Sequence, residues 1–154
     1  MRWPGSFYLS CRMGPKIFSV REANSQIPRL EELLYDLDRV RDRLRYLKGK
    51  LDVLEMLWGE EIQSESNPDR NEFLHYTEEL EKAKGEYEQC ARRFTDLDVV
   101  LKSVDTGLVD FYGVIEGRLV FLCWKRGEKT VEYYHHMEDG FAGRQPIPSG
   151  EMAR

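Results

Sequence analysis

The sequence predicts an α+β fold, in which a long antiparallel two-helix coiled-coil hairpin is followed by a small three-stranded antiparallel β-meander. Two observations carry this prediction. Between residues 19 and 104 apolar residues recur at alternating steps of three and four, which is the spacing of a heptad repeat. After residue 107 short apolar runs alternate with glycine turns, which is typical of strands. We therefore expect one domain over residues 17–147, with the hairpin in 19–104 and the meander with a glycine-rich tail in 107–147.

The chain of 154 residues has the length of a single domain. Residues 1–16 are predicted to be a poorly ordered extension, because Gly14 and Pro15 separate them from the first helix signal. The sequence leaves open whether translation starts at Met1 or at Met13. Residues 148–154 are expected to be a flexible terminus.

The first helix is predicted to begin at about Val20. Ser19 and Glu22 have the spacing of a capping box, in which each side chain accepts a hydrogen bond from the backbone of the other. Pro28 removes one helical hydrogen bond, so we expect a kink or short break at residues 26–28. The apolar stripe of this helix consists of Leu30, Leu33, Leu37, Val40, Leu44, Leu47, Leu51, Leu54 and Trp58.

The second helix is predicted to start at Asn67, Pro68 and Asp69, which suit the N-cap, the first helical position and the positive end of the helix dipole. Its apolar stripe consists of Phe73, Tyr76, Leu80, Ala83, Tyr87, Cys90, Phe94, Leu97, Leu101 and Val104. The short loop between the helices predicts that they fold back on each other.

Charges flanking the stripes favour the register that places Leu44 opposite Ala83. In this register pairs of opposite sign face each other, namely Asp36 with Arg93, Arg43 with Glu86, Lys50 with Glu79 and Glu55 with Arg70. Exposed pairs contribute only ~0.2–1 kcal/mol each, so they select the register, whereas burial of the stripes stabilises the hairpin.

Three strands are expected at residues 108–112, 118–124 and 130–135, with turns at Gly117 and Gly127. The second strand is apolar on both faces and is therefore predicted to be the central strand.

Apolar residues outside the stripes, near the loop between the helices, predict a surface for self-association or for a protein partner. These tip residues are Met56, Leu57, Trp58, Ile62 and Leu74. The alternative is that the loop folds locally over them.

Composition argues against several classes of function. The chain has 23 Lys and Arg against 28 Asp and Glu, and its net charge of −5 gives no bulk attraction to nucleic acid or to an anionic membrane. No run approaches the ~18 apolar residues of a membrane-spanning helix. Three cysteines without paired spacing favour a reducing, cytoplasmic compartment. We predict no cofactor, no nucleic-acid partner and no membrane span.

Four segments of the chain carry a resemblance to a known family. They are FSVREAN at 18–24, GLVDF at 107–111, LCW at 122–124, and GFAGRQP at 140–146 with His135 before it. They resemble the bacterial domain-of-unknown-function family 2203 from about residue 17 to Ile147. The family pattern usually has Trp-His-Glu where this chain has Tyr134-His135-His136. The resemblance implies the architecture described above and no established activity.

The candidate functional cluster consists of Asp110, His135, Glu138 and Arg144. The turn at Gly117 places Asp110 opposite Cys123 on one face of the sheet, where a buried carboxylate needs a partner such as His135 or Arg144. In one interpretation Asp110 pins the tail by accepting hydrogen bonds from Arg144. In the other, Asp110 and His135, with Glu138 as a further candidate, bind a divalent metal or perform acid–base chemistry. Cys123 is expected to be an inert small hydrophobe, and so is Cys90 in the helical stripe.

Two functions from different classes remain. The favoured one is a cytoplasmic coiled-coil interaction or scaffold protein that self-associates as a homodimer, without assigned catalytic residues. The alternative is a metal- or small-anion-binding protein, with or without enzymatic activity, whose site lies around Asp110, His135 and Arg144.

Overall fold

The structure, a computed structural model, describes residues 14–154. Residues 1–13 of the predicted N-terminal extension therefore lie outside the described residues. The elements follow each other as α1 (Val20–Trp58), a 3₁₀ turn (Gly59–Gln63), α2 (Arg70–Asp96), β1 (Val100–Ser103), β2 (Leu108–Ile115), β3 (Arg118–Lys125), β4 (Tyr133–His136), a 3₁₀ turn (Phe141–Gly143), β5 (Gln145–Pro146) and α3 (Ser149–Met152). The predicted α+β class is confirmed, whereas the number of strands and the bounds of several elements differ from the prediction. Among residues 14–154, no helix combines the length and hydropathy that crossing a bilayer requires.

Helix α1 begins where the capping box predicts. The Ser19 hydroxyl accepts a hydrogen bond from the Glu22 backbone at 3.1 Å, and the Glu22 carboxylate accepts one from the Ser19 backbone at 3.2 Å. The break expected at Pro28 was wrong, because α1 runs without interruption to Trp58. Ala23, Ile27 and Leu30 are all buried on one face, so a break would uncover apolar surface on both sides of the proline.

Ion pairs show that α1 and α2 lie side by side in opposite directions. Arg93 pairs with Asp36 at 3.4 Å, and Arg43 pairs with both Glu86 and Glu79. Two expected cross-helix pairs are therefore present. Glu79, expected opposite Lys50, is engaged by Arg43 instead.

The helical pair is shorter than predicted at its base, since α2 ends at Asp96 rather than at Val104. Asp98 has a positive φ of 59°, which stops the helix, and Val100–Ser103 then forms strand β1. The apolar residues of this segment fit the heptad spacing, but Val100 and Leu101 pair with β2 in an antiparallel ladder.

The meander contains five strands rather than three, in the order β1-β2-β3-β4-β5 with antiparallel neighbours. Strand β3 lies in the middle, as predicted. Strand β4 starts at Tyr133 instead of residue 130, because the Val131 backbone donates to the Asn24 side chain of α1 at 2.7 Å rather than to a neighbouring strand. The segment expected to be a flexible terminus includes α3, and the Arg154 carbonyl accepts a hydrogen bond from the Arg21 backbone at 2.8 Å.

The sheet has two different faces, because successive side chains of a strand alternate. The inner face packs on the first half of α1 and is part of one hydrophobic core. The sheet residues Val109, Phe111, Val120, Leu122 and Trp124 and the helix residues Leu30, Leu33, Leu34 and Leu37 all belong to it. The outer face carries Asp110, Phe121, Cys123 and His135, which are buried outside that core cluster.

Glycine at position 113 provides a test of this packing. A Cβ atom there would lie 2.7 Å from Cγ of Leu122, a core residue that is 1% exposed. We expect Gly113→Ala to lower the free energy of unfolding by ~1–3 kcal/mol, as overpacking of a filled core does. The matched control is Gly85→Ala in α2, where a Cβ meets nothing within 4 Å, so the helix gains ~0.5–1 kcal/mol. Urea unfolding measures both, and a shift of the same sign in the two variants would contradict the packing described.

Candidate functional site

Three neighbouring strands bring a carboxylate, a thiol and an imidazole together on the outer face of the sheet. Asp110 of β2 is directly opposite Cys123 of β3, as the hairpin register predicts, and His135 of β4 is opposite Phe121. One ligand atom from each of Asp110, Cys123 and His135 lies within 4.8 Å of the other two. Their residues are 1%, 0% and 2% exposed, so the group is closed to bulk water.

The hydrogen bonds of His135 determine where protons lie in this cluster. Its Nδ1 is 2.9 Å from the carbonyl oxygen of His136, and its Nε2 is 3.0 Å from Oδ2 of Asp110. A carbonyl oxygen only accepts, so Nδ1 carries a proton. A second proton must then lie between Nε2 and Oδ2. The Asp110–His135 pair is therefore neutral as a whole, either as carboxylate with imidazolium or as carboxylic acid with imidazole.

Part of the Asp110 carboxylate has no hydrogen-bond partner. Among residues 14–154, the buried side-chain polar atoms without such a partner are Oδ1 of Asp110 and Nε of Arg144. A buried oxygen without a partner is costly, so Oδ1 of Asp110 is available to accept a hydrogen bond or to bind a cation.

Cys123 is a protonated thiol in this environment. Burial and the neighbouring Asp110 carboxylate raise the pKa of Cys123 to about 12. The sulfur is thus a poor nucleophile, although the nearby Arg144 guanidinium acts in the opposite direction on this pKa.

Aromatic rings form one wall beside the cluster. The Phe121 ring lies 5.4 Å from the His135 ring and 4.9 Å from the Tyr112 ring. Lys102 places its ammonium 4.8 Å from the centre of the Phe121 ring. This cover keeps the cluster in surroundings of low polarity, in which charges interact strongly.

The other two members of the predicted cluster make no hydrogen bond or ion pair with Asp110 or His135 in the described chain. Arg144 donates through Nη2 to both carboxylate oxygens of Glu128, at 2.7 and 2.8 Å, and to the Cys123 carbonyl at 3.3 Å. Its guanidinium lies 4.3 Å from the Tyr133 ring and 4.7 Å from the Phe141 ring. Arg144 therefore pins the glycine-rich tail through Glu128, and not through Asp110. Glu138 is exposed in the loop after β4.

Sequence reasoning missed two participants. The predicted register already placed Cys123 opposite Asp110 and so indicated its position in the site. A cysteine on an apolar strand, however, suggested an inert small hydrophobe. Glu128 sits in the turn after β3 and gives no spacing signal that would connect it to Arg144.

The residues at the tip of the helical pair divide into two groups. Ile62 is 1% exposed, and the partly buried Trp58 donates its indole N–H to Asp69 at 2.8 Å, so these two form a local cap. Met56 and Leu57 are 83% and 68% exposed, and Leu74 is 45% exposed. Val53, which lies on α1 in the same region, is 53% exposed.

The same end of the molecule is strongly acidic. Between residues 52 and 74 the chain has seven acids and one base, a charge of −6 that exceeds the −5 of the whole chain. The acids are Asp52, Glu55, Glu60, Glu61, Glu65, Asp69 and Glu72, and the base is Arg70. We call residues 52–74 the distal end.

Fold and site together define an α+β protein with an acidic helical arm and a closed Asp–Cys–His group in its sheet. A family model with the description "Uncharacterized conserved protein (DUF2203)" matches residues 16–147, and the chain belongs to this family. The resemblance seen in the sequence motifs is thereby confirmed. No curated protein and no solved structure shows a significant match to the chain.

Proposed function

We propose that the protein is an interaction module whose distal end binds a basic amphipathic segment of another protein. The observation that carries this proposal is the coincidence of four exposed apolar side chains with a charge of −6 in one stretch of 23 residues. Apolar surface supplies affinity, and charge of one sign selects the partner.

The apolar part of the distal end suits a helical ligand. Met56 and Leu57 are the two most exposed large apolar residues of the described chain, and Val53 lies one turn earlier on α1. Methionine adapts its shape to different partners, and a row of apolar side chains along a helix accepts the apolar face of an amphipathic segment.

The acidic part determines the chemistry of that segment. Seven carboxylates around the apolar side chains attract lysine and arginine and repel acidic partners. Because these groups are exposed, salt screens the attraction. Binding of a cationic segment is therefore expected to weaken as ionic strength rises.

The position of the distal end supports a separate role for it. The core that joins α1 to the sheet includes α1 residues up to Leu37, and the helix continues for about 30 Å beyond that point to Trp58. Substitutions at the distal end therefore leave the sheet and its core intact.

Self-association, which the sequence predicts, is the alternative use of this surface. Two distal ends brought together would each carry a charge of −6. Screening then strengthens the homodimer, whereas it weakens binding of a cationic segment, so the two occupants have opposite salt dependence. We place the function in the cytoplasm, which the free buried thiols of Cys90 and Cys123 support.

The test uses the full chain and three fluorescent synthetic peptides, measured by anisotropy. They are an amphipathic lysine–leucine helix, the same composition in scrambled order, and an acidic analogue. We expect the first to bind most tightly, and the double variant Met56→Ser with Leu57→Ser to weaken its binding at least tenfold, about 1.4 kcal/mol. Tyr35→Ser is the matched control, because Tyr35 is 63% exposed on α1 outside the distal end.

Two results would count against this proposal. One is equal affinity for the basic and the acidic amphipathic peptides. The other is a homodimer, detected by sedimentation equilibrium, whose affinity increases from low to high salt and which the Met56/Leu57 double variant no longer forms. This result would assign the surface to a second copy of this chain.

A further inference from the structure

We propose that Asp110, Cys123 and His135 form a binding site for one divalent transition-metal ion of the Zn²⁺ or Co²⁺ type. This inference concerns the sheet and does not depend on the function proposed for the distal end.

The spacing of the three ligand atoms is close to what such an ion requires. Zinc bonds of ~2.0–2.1 Å to nitrogen or oxygen and ~2.3 Å to sulfur place tetrahedral ligand atoms about 3.3–3.6 Å apart. The Nε2 of His135 and Oδ2 of Asp110 are 3.0 Å apart, and all three ligand atoms lie within 4.8 Å of one another. Side-chain shifts of about 1 Å therefore suffice, without any change in strand register.

The imidazole is already oriented for this role. Its Nδ1–H donates to the His136 carbonyl at 2.9 Å, which leaves Nε2 as the atom that faces Asp110. A hydrogen bond from the second ring nitrogen to a backbone carbonyl is the usual outer-sphere contact of a metal-bound histidine.

The carboxylate has an oxygen in need of a partner. Oδ1 of Asp110 is buried without a hydrogen bond, in a residue that is only 1% exposed. A divalent ion bound to this carboxylate also balances the charge on that oxygen.

Charge balance selects a divalent ion. One carboxylate, one thiolate and one neutral imidazole carry two negative charges, so an ion of charge +2 makes the buried site neutral. Ligands bind the ion in their deprotonated forms, so binding releases protons. The sulfur ligand favours Zn²⁺ or Co²⁺ over Mg²⁺ and Ca²⁺, which prefer oxygen.

The burial of the cluster assigns the ion a structural task. Its three ligands come from β2, β3 and β4, so the ion cross-links the centre of the sheet. The cluster supplies three protein ligands among the described residues, which leaves the fourth position of a tetrahedron to another ligand.

The test is a Co²⁺ titration of the full chain after treatment with a chelator and a reductant. The chain has three cysteines, so the double variant Cys11→Ser with Cys90→Ser keeps Cys123 as its single thiol. We expect this variant and the unmodified chain to bind one Co²⁺ with a thiolate-to-cobalt absorption band and the visible bands of tetrahedral cobalt. Replacing Cys123 as well is expected to abolish the thiolate band.

Independent readouts use Zn²⁺ and no variant. At a hundredfold excess over its Kd, Zn²⁺ is expected to raise Tm by roughly 5–10 °C and to release protons, which a pH indicator records. Absence of the thiolate band in the single-thiol variant, together with an unchanged Tm of the unmodified chain, would overturn the proposal. A band that requires Cys11 or Cys90 would overturn the assignment of the site.

Discussion

Replacing Trp124 by alanine is expected to lower the free energy of unfolding by ~3–5 kcal/mol and Tm by roughly 10 °C. Among residues 14–154, Trp124 is the largest fully buried side chain, and it lies on the inner face of β3, the central strand. Its indole N–H also donates to the Glu128 carbonyl at 2.9 Å. The substitution therefore leaves a cavity in the core and removes a hydrogen bond from the turn after β3.

Trp124→Phe separates these two effects. It keeps most of the apolar volume and loses the hydrogen bond, so we expect a loss of about 1–2 kcal/mol. Urea unfolding followed by circular dichroism measures both variants without relying on tryptophan fluorescence. A loss below about 1 kcal/mol for Trp124→Ala would mean that the core around β3 is loosely packed.

The second large effect concerns the Asp110–His135 pair. In metal-free protein, Asp110→Leu and His135→Leu are each expected to lower the free energy of unfolding by ~3–5 kcal/mol, because each leaves a buried polar partner without its contact. The double substitution removes both polar groups and is expected to cost far less than the sum. A double-mutant cycle measured in the presence of chelator is therefore expected to give a stabilising interaction energy between Asp110 and His135.

Strict additivity of the two single substitutions would contradict this interpretation of the pair. Repeating the cycle with Zn²⁺ separates the hydrogen bond from metal binding. The unmodified chain gains stability from the ion, while all three variants lack a ligand and gain none.

Local patterns were sufficient to predict much of this fold. The capping box of Ser19 and Glu22 involves residues three positions apart, and its geometry depends on nothing else. Asp110 and Cys123 form a cross-strand pair because a tight turn at Gly117 sets the register of the hairpin. In both cases the interacting residues are close in the chain, so their spacing determines the contact.

Other features depend on distant residues, and spacing alone does not decide them. Leu97, Leu101 and Val104 continue the heptad stripe, yet Leu101 belongs to β1 because strand β2 is available to pair with it. Strand β5 contains only two residues and forms against β4. A single sequence does not show which of two favourable partners a short apolar segment will meet.

The sequence predicts the part of the candidate site that depends on strand register, but not the part that depends on the path of a loop. Hairpin register and an adjacent strand place Asp110, Cys123 and His135 on one face, since side chains of neighbouring strands alternate in step. The contact of Arg144 with Glu128 joins a tail to a turn sixteen residues earlier. Its geometry depends on the path of the loop, which carries no periodic signal.

The hydrogen bond between Asn24 and Val131 has a consequence for synthesis on the ribosome. It links the first turns of α1 to a loop 107 positions later. The two helices are complete once residue 96 has left the exit tunnel, but the leucines of the first half of α1 remain without their cover until β2, β3 and β4 follow. The nascent chain therefore displays an apolar strip until β2, β3 and β4 have emerged, and we expect it to be a client of ribosome-associated chaperones during that interval.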